Sequence, residues 1–88
     1  MPTYFEIRKL KQGYDWQEMF EKQQGYRYAV DVLKIPPPCI AMIRCDPDAC
    51  ALEIRLTEQA SHTRDPWFFR LLQAHSYFRT ETGRMTFY

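Results

Sequence analysis

The stretch CIAMIRCDPDACALEIRL, residues 39 to 56, holds all three cysteines of the chain and two aspartates that flank a proline. Thiols grouped in this way serve as zinc ligands, as a disulfide, or as a reactive pair. Zinc sites favour ligand pairs two to four residues apart, and the spacings here, Cys39 to Cys45 to Cys50, are six and five. Along a strand, residues 39 to 45 cover about 20 Å at ~3.3 Å per residue, so the three thiols cannot share one ion. Opposed cysteines in a hairpin do come close enough to bond, which leaves a redox-labile Cys45–Cys50 bridge as one alternative. An odd cysteine count without a secretion signal favours the other, in which thiols pack as small hydrophobes.

A catalytic thiolate needs a base beside it. His62 and His75 are the only imidazoles, and neither neighbours a cysteine in sequence or in the sheet expected below. His75 falls on the apolar stripe of a predicted helix, and His62 sits in the polar loop Ser61-His62-Thr63-Arg64. Asp46 and Asp48 read as turn formers, whose side chains bond their own backbone. With only Gly13, Gly25 and Gly83 there is no glycine-rich phosphate loop. The sequence therefore offers no catalytic residue, no metal ligand and no cofactor site, and the expectation is a protein that is not an enzyme.

These residues must be placed by a few short elements. TYFEIRKLK, residues 3 to 11, alternates as a strand with Phe5 and Ile7 on one face and Tyr4, Glu6 and Arg8 on the other. Asp15, with Glu18 three residues on, has the spacing of a capping box. From there Trp16, Met19, Phe20, Gln23, Tyr26, Val30 and Leu33 recur at helical intervals. A helix from 15 to about 34, kinked near Gly25, is predicted, although the aromatic and β-branched run 26–32 fits a strand equally well. Pro36-Pro37-Pro38 end it.

The quoted hairpin follows. Setting Cys45 opposite Cys50 places Ile43 opposite Leu52, Ala41 opposite Ile54 and Cys39 opposite Leu56, all on one face. The other face then collects Ile40, Met42, Arg44, Ala51, Glu53 and Arg55. Asp65-Pro66 opens a second helix with the stripe Trp67, Phe68, Leu71, Leu72, Ala74, His75 and Phe78, leaving Phe69 and Tyr77 outside it. After Thr82-Gly83, residues 84 to 88 read as a last strand with Met85 and Phe87 inward.

Strand, helix, strand, strand, helix, strand is the order of a ferredoxin-like α+β sandwich. Its four-stranded antiparallel sheet has spatial order 4-1-3-2, with two helices on one face. Residues 1–88 are expected to form one such domain. Its open face would gather Arg8, Arg44 and Arg84 at one end and Tyr4, Tyr88, Ile40 and Arg55 at the other.

Length, composition and charge narrow the function classes. Eighty-eight residues with 45% hydrophobic and 16% aromatic content argue against disorder, and a net charge of +1 gives no global case for nucleic acid. No run of ~18 apolar residues occurs, so no membrane partner is expected and the chain reads as soluble and cytoplasmic. Arg, Tyr and Met are enriched at protein–protein contacts. The leading reading is accordingly a protein-interaction module using Tyr4, Arg8, Ile40, Met42, Arg44, Arg55, Arg84 and Tyr88 against a larger protein or a nucleic-acid-processing complex, with self-association also expected.

Small motif-free domains that act in this way include phage-encoded inhibitors of host machinery, such as anti-CRISPR proteins. The analogy is one of class, since no residue motif here matches such a family. A single-stranded nucleic-acid binder using the same face is the second reading. A small enzyme with His62 or His75 as general acid/base is the third.

Overall fold

The computed structural model describes residues 4–60 and 65–88. The polar loop that carries His62 lies outside the described residues. The elements run β1 (Tyr4–Ile7), α1 (Trp16–Glu21), α2 (Gly25–Asp31), a 3-10 turn (Pro37–Cys39), β2 (Ile40–Asp46), β3 (Ala51–Leu56), α3 (Pro66–Ala74), β4 (Tyr77–Arg79) and β5 (Met85–Phe87). The fold is α+β, with a mixed five-stranded sheet of order β2-β3-β1-β5-β4. None of these helices is long and apolar enough to cross a membrane.

The four strands expected from sequence keep their expected order, but the sheet is neither four-stranded nor wholly antiparallel. After α3 the chain makes the extra edge strand β4 before turning into β5. One added hairpin reverses the direction of arrival, so β5 lies parallel to β1 while β4 pairs antiparallel with β5. Helix α3 stops because its C-cap His75 is extended (φ −130°, ψ 149°), and Tyr77 and Phe78 therefore belong to a strand. At the other end of α3, Pro66 stands in the first turn, but Asp65 makes no side-chain cap. Its Oδ2 accepts the indole Nε1–H of Trp67 at 3.2 Å instead.

The predicted helix over 15–34 is two helices. Asp15 caps α1, its side chain accepting from the Glu18 amide at 2.8 Å. Gln23 takes a left-handed φ of 53° between α1 and α2. That break resets the helical phase, so Tyr26 emerges on the surface while Tyr28 and Ala29 turn inward; Phe20, on α1 ahead of the break, is exposed as well. Residues 26–31 are helical, which removes the strand alternative there.

The hairpin keeps its faces but not its register. Cys45 opposes Leu52, Ile43 opposes Ile54 and Asp46 opposes Ala51, a slip of two residues from the expected pairing. An even slip leaves every side chain on its face, because the strand period is two. The turn sets it: Asp46 Oδ1 accepts from the amides of Asp48 and Ala49, and Cys50 lies in the left-handed region at φ 51°. A bulge between Ile40 and Met42 then shifts the phase, so that Ile40 opposes Leu56 and packs against the core. Ile40 is thereby removed from the open face, and Ala41 is exposed.

One sheet face carries Phe5, Ile7, Leu52, Ile54, Leu56, Met85 and Phe87 into a core completed by Met19, Tyr28 and Ala29 and by Trp67, Phe68 and Leu71. All three helices contribute to it, so they cover the same face. Phe5 lies 6.3 Å from Trp67 and meets Phe87 edge-on at 5.6 Å, measured between ring centroids. Gly25 sets how closely α2 approaches the hairpin: a Cβ there would stand 2.9 Å from Ile43 Cγ2 and 3.2 Å from Leu52 Cδ1. Gly25→Ala is expected to lower unfolding stability by about 1–3 kcal/mol through overpacking, read from urea denaturation. A variant as stable as the wild type would contradict this packing.

Candidate functional site

The sheet face opposite the helices displays side chains in transverse rows fixed by the register. The central row runs Arg44, Glu53, Glu6, Thr86 and Phe78 from β2 to β4. A second row begins Met42, Arg55, Tyr4, with Arg84 preceding β5 beside it. Because β5 runs parallel to β1, Arg84 stands at the Tyr4 end and Tyr88 at the Arg8 end. This exchanges the two positions expected from an antiparallel pairing.

Glu6 is 5% exposed although no helix among the described residues packs on its face. Guanidinium groups and a hydroxyl enclose it. Arg84 Nη2 approaches Glu6 Oε1 at 2.6 Å, Arg8 Nη2 approaches Oε2 at 3.2 Å, and Thr86 Oγ1 donates to Oε1 at 3.4 Å. Arg84 also reaches Glu53 at 3.9 Å and lies over the Tyr4 ring, 4.7 Å from its centroid, a cation–π placement. Arg44 pairs with Glu53 at 3.6 Å and with Asp46 at 3.9 Å. Arg8 further donates to the Ala49 carbonyl at 2.7 Å. Burial, and next its hydrogen bond to Glu53, push the Tyr4 hydroxyl above its ordinary pKa.

Three arginines thus meet three carboxylates, and the network is neutral. The Nε atoms of Arg8 and Arg84 are enclosed without an acceptor among the described residues. Both groups are held in place by their Nη atoms. Of the face's arginines only Arg55, which is exposed, has no acidic partner among the described residues.

Around this network lie apolar groups. Phe78 and Tyr88 stack with centroids 5.9 Å apart and planes 23° from parallel, each about half exposed at 49% and 48%. Met42 is 39% exposed at the opposite margin. Of the eight residues expected here, Tyr4, Arg8, Arg44 and Arg84 are joined through Glu6 and Glu53. Met42 and Arg55 pair beside them, Tyr88 stands at the rim, and Ile40 is turned inward. Glu6, Glu53 and Thr86 organise the face although none was expected to belong to the site. Phe78 was missed because it continued a helical stripe. The run Tyr77-Phe78-Arg79-Thr80, mirrored across Gly83 by Arg84-Met85-Thr86-Phe87-Tyr88, carried the hairpin signal.

The thiols do not form a site. Cys39, Cys45 and Cys50 are free, and they are respectively buried, half-buried and exposed. Burial first, and a nearby aspartate second, push the Cys39 and Cys45 thiols above their ordinary pKa, the opposite of thiolate activation. Among the described residues no three His, Cys, Asp or Glu side chains are grouped to hold a metal ion. His75 places Nδ1 3.1 Å from the Tyr88 carbonyl oxygen. No protein-family profile, curated protein or solved structure matches the chain.

Removing the charge of Glu6 leaves two arginines facing each other over a covered position. Glu6→Gln is expected to cost about 1.5–3 kcal/mol of stability, the range for hydrogen bonds to charged groups. Glu18→Gln, which breaks the exposed Glu18–Lys22 pair, should cost far less, because solvent screens a pair held at the surface. Urea unfolding of the two variants tests the contrast, and equal small effects would contradict it.

Proposed function

We propose that the chain is a non-enzymatic protein-interaction module that docks its open sheet face on a larger protein partner and acts by occupying that partner's surface. Its strand order is that of a ferredoxin-like sheet, with the edge strand β4 added and β5 turned parallel to β1. The observation that carries the reading is the stacked Phe78–Tyr88 pair, half exposed beside a neutral Arg–Glu network. Exposed aromatic and methionine groups around satisfied charges are the makeup of a protein contact, where desolvated rings supply most of the energy. A nucleic-acid strand would instead need free cations for its phosphates, and carboxylates already neutralise Arg8, Arg44 and Arg84. Self-association is the second form of this reading, favoured by the exposed Tyr77 and Phe78 on an edge strand of three residues.

The double variant Met42→Glu, Phe78→Asp tests the surface. It is expected to keep the wild-type circular dichroism spectrum and to lose the proteins that wild-type bait retains from its native source, identified by mass spectrometry. A labelled single-stranded oligonucleotide should show no anisotropy change with the wild type at low salt. Retention of the same partners by the folded variant would contradict the face assignment. Oligonucleotide binding that weakens steeply with salt would contradict the partner class.

A further inference from the structure

A separate cleft opens on the helix side of the sheet, between the segment after β1, helix α2 and helix α3. Its volume is about 430 Å³, within the range of small-molecule sites. Leu33, Leu71 and Tyr28, all buried, and Leu10 and Val32, half-buried, give it an apolar lining. Lys9, Lys11 and Arg70 also line it, joined by His75, and no acidic side chain does.

The charge pattern is the reverse of that on the open face. There the guanidinium groups of Arg8, Arg44 and Arg84 have carboxylates within 4 Å. Lys9, Lys11 and Arg70 have no acidic partner among the described residues. Three cations lining one cleft with no acidic side chain among its lining residues make it a positive site that favours an anion. A second feature points the same way. The Tyr28 hydroxyl, in a residue 2% exposed, accepts from the Lys11 amide at 2.9 Å, and its own hydrogen meets no acceptor among the described residues. Burial pushes this phenol above its ordinary pKa. Buried donors of this kind normally find a partner.

We propose that this cleft binds a small organic anion. Its carboxylate or phosphate group is held by Lys9, Lys11 and Arg70 with the Tyr28 hydroxyl as a further donor, and its apolar body is seated on Leu10, Val32, Leu33 and Leu71. Arg70 can offer a carboxylate or phosphate two parallel hydrogen bonds, and the lysines act as point charges. A cleft of this size admits an aromatic ring or a short acyl chain in addition to the anionic group.

Phenyl phosphate and 3-phenylpropionate probe the two head groups, with inorganic phosphate and the neutral 3-phenylpropanol as controls. Each is titrated into the ¹⁵N-labelled full chain, followed by amide chemical shifts. At least one aryl anion is expected to produce saturable shifts at Leu10, Lys11, Leu33, Leu71 and His75, and the one that saturates first identifies the head group. Both controls should bind about tenfold more weakly or less, as expected when one charge-assisted contact set or the apolar seat is lost. Lys11→Glu with Arg70→Glu should abolish the shifts, Arg70→Gln should weaken them about tenfold, and Arg55→Glu on the open face should leave them unchanged. The assignment is overturned if neither aryl anion saturates at millimolar concentration, if a control binds as well, or if the folded double variant binds like the wild type.

Discussion

Glu6 sits at the middle of the sheet face that no helix among the described residues covers, and two guanidinium groups close on it along the strand direction. Arg8 directly follows β1 and Arg84 directly precedes the parallel neighbour β5. A carboxylate that is 5% exposed is costly unless it is paired and hydrogen-bonded, and here both oxygens are engaged. The pairing constrains the rest of the sheet. It requires β5 to lie beside β1 with Arg84 next to Tyr4, a placement that depends on β4 having first reversed the chain after α3. It also fixes the side chain beside it, since Arg84 lies on the Tyr4 ring.

The two faces of the sheet solve the same problem by different means. The inner face is apolar and is closed by three helices, with Gly25 permitting α2 to approach Ile43 and Leu52. The outer face is held by charges that satisfy one another, and its margins carry Phe78, Tyr88 and Met42. On that face Arg55 alone among the arginines lacks an acidic partner, whereas Lys9, Lys11 and Arg70 line one cleft together, none with an acidic partner among the described residues. A net charge of +1 therefore conceals an uneven distribution: the network beside the exposed rings is neutral, and the cavity lining is cationic. This difference supports assigning the two regions to different classes of partner.

Much of the fold was legible because period-two alternation is robust. Ile43, Leu52 and Ile54 faced inward, and Arg44 and Glu53 outward, even though the pairing slipped by two residues. Ile40 was not legible, because a bulge at Ala41 shifts the phase without any sequence mark. Tyr26 was misplaced because the break at Gln23 restarts the helical count. The strand β4 was hidden by spacing, since Leu71, His75 and Phe78 continue a helical stripe past the point where the helix ends. The enclosure of Glu6 could not be read locally, since one of its two arginines and its hydroxyl donor come from the far end of the chain.

The central claim is that Glu6 and Arg84 are energetically coupled and so hold the outer face together. A double-mutant cycle with Glu6→Gln, Arg84→Gln and the double variant, each unfolded in urea, measures that coupling directly. A coupling energy of about 1–3 kcal/mol is predicted. Additivity within about 0.3 kcal/mol would contradict the account.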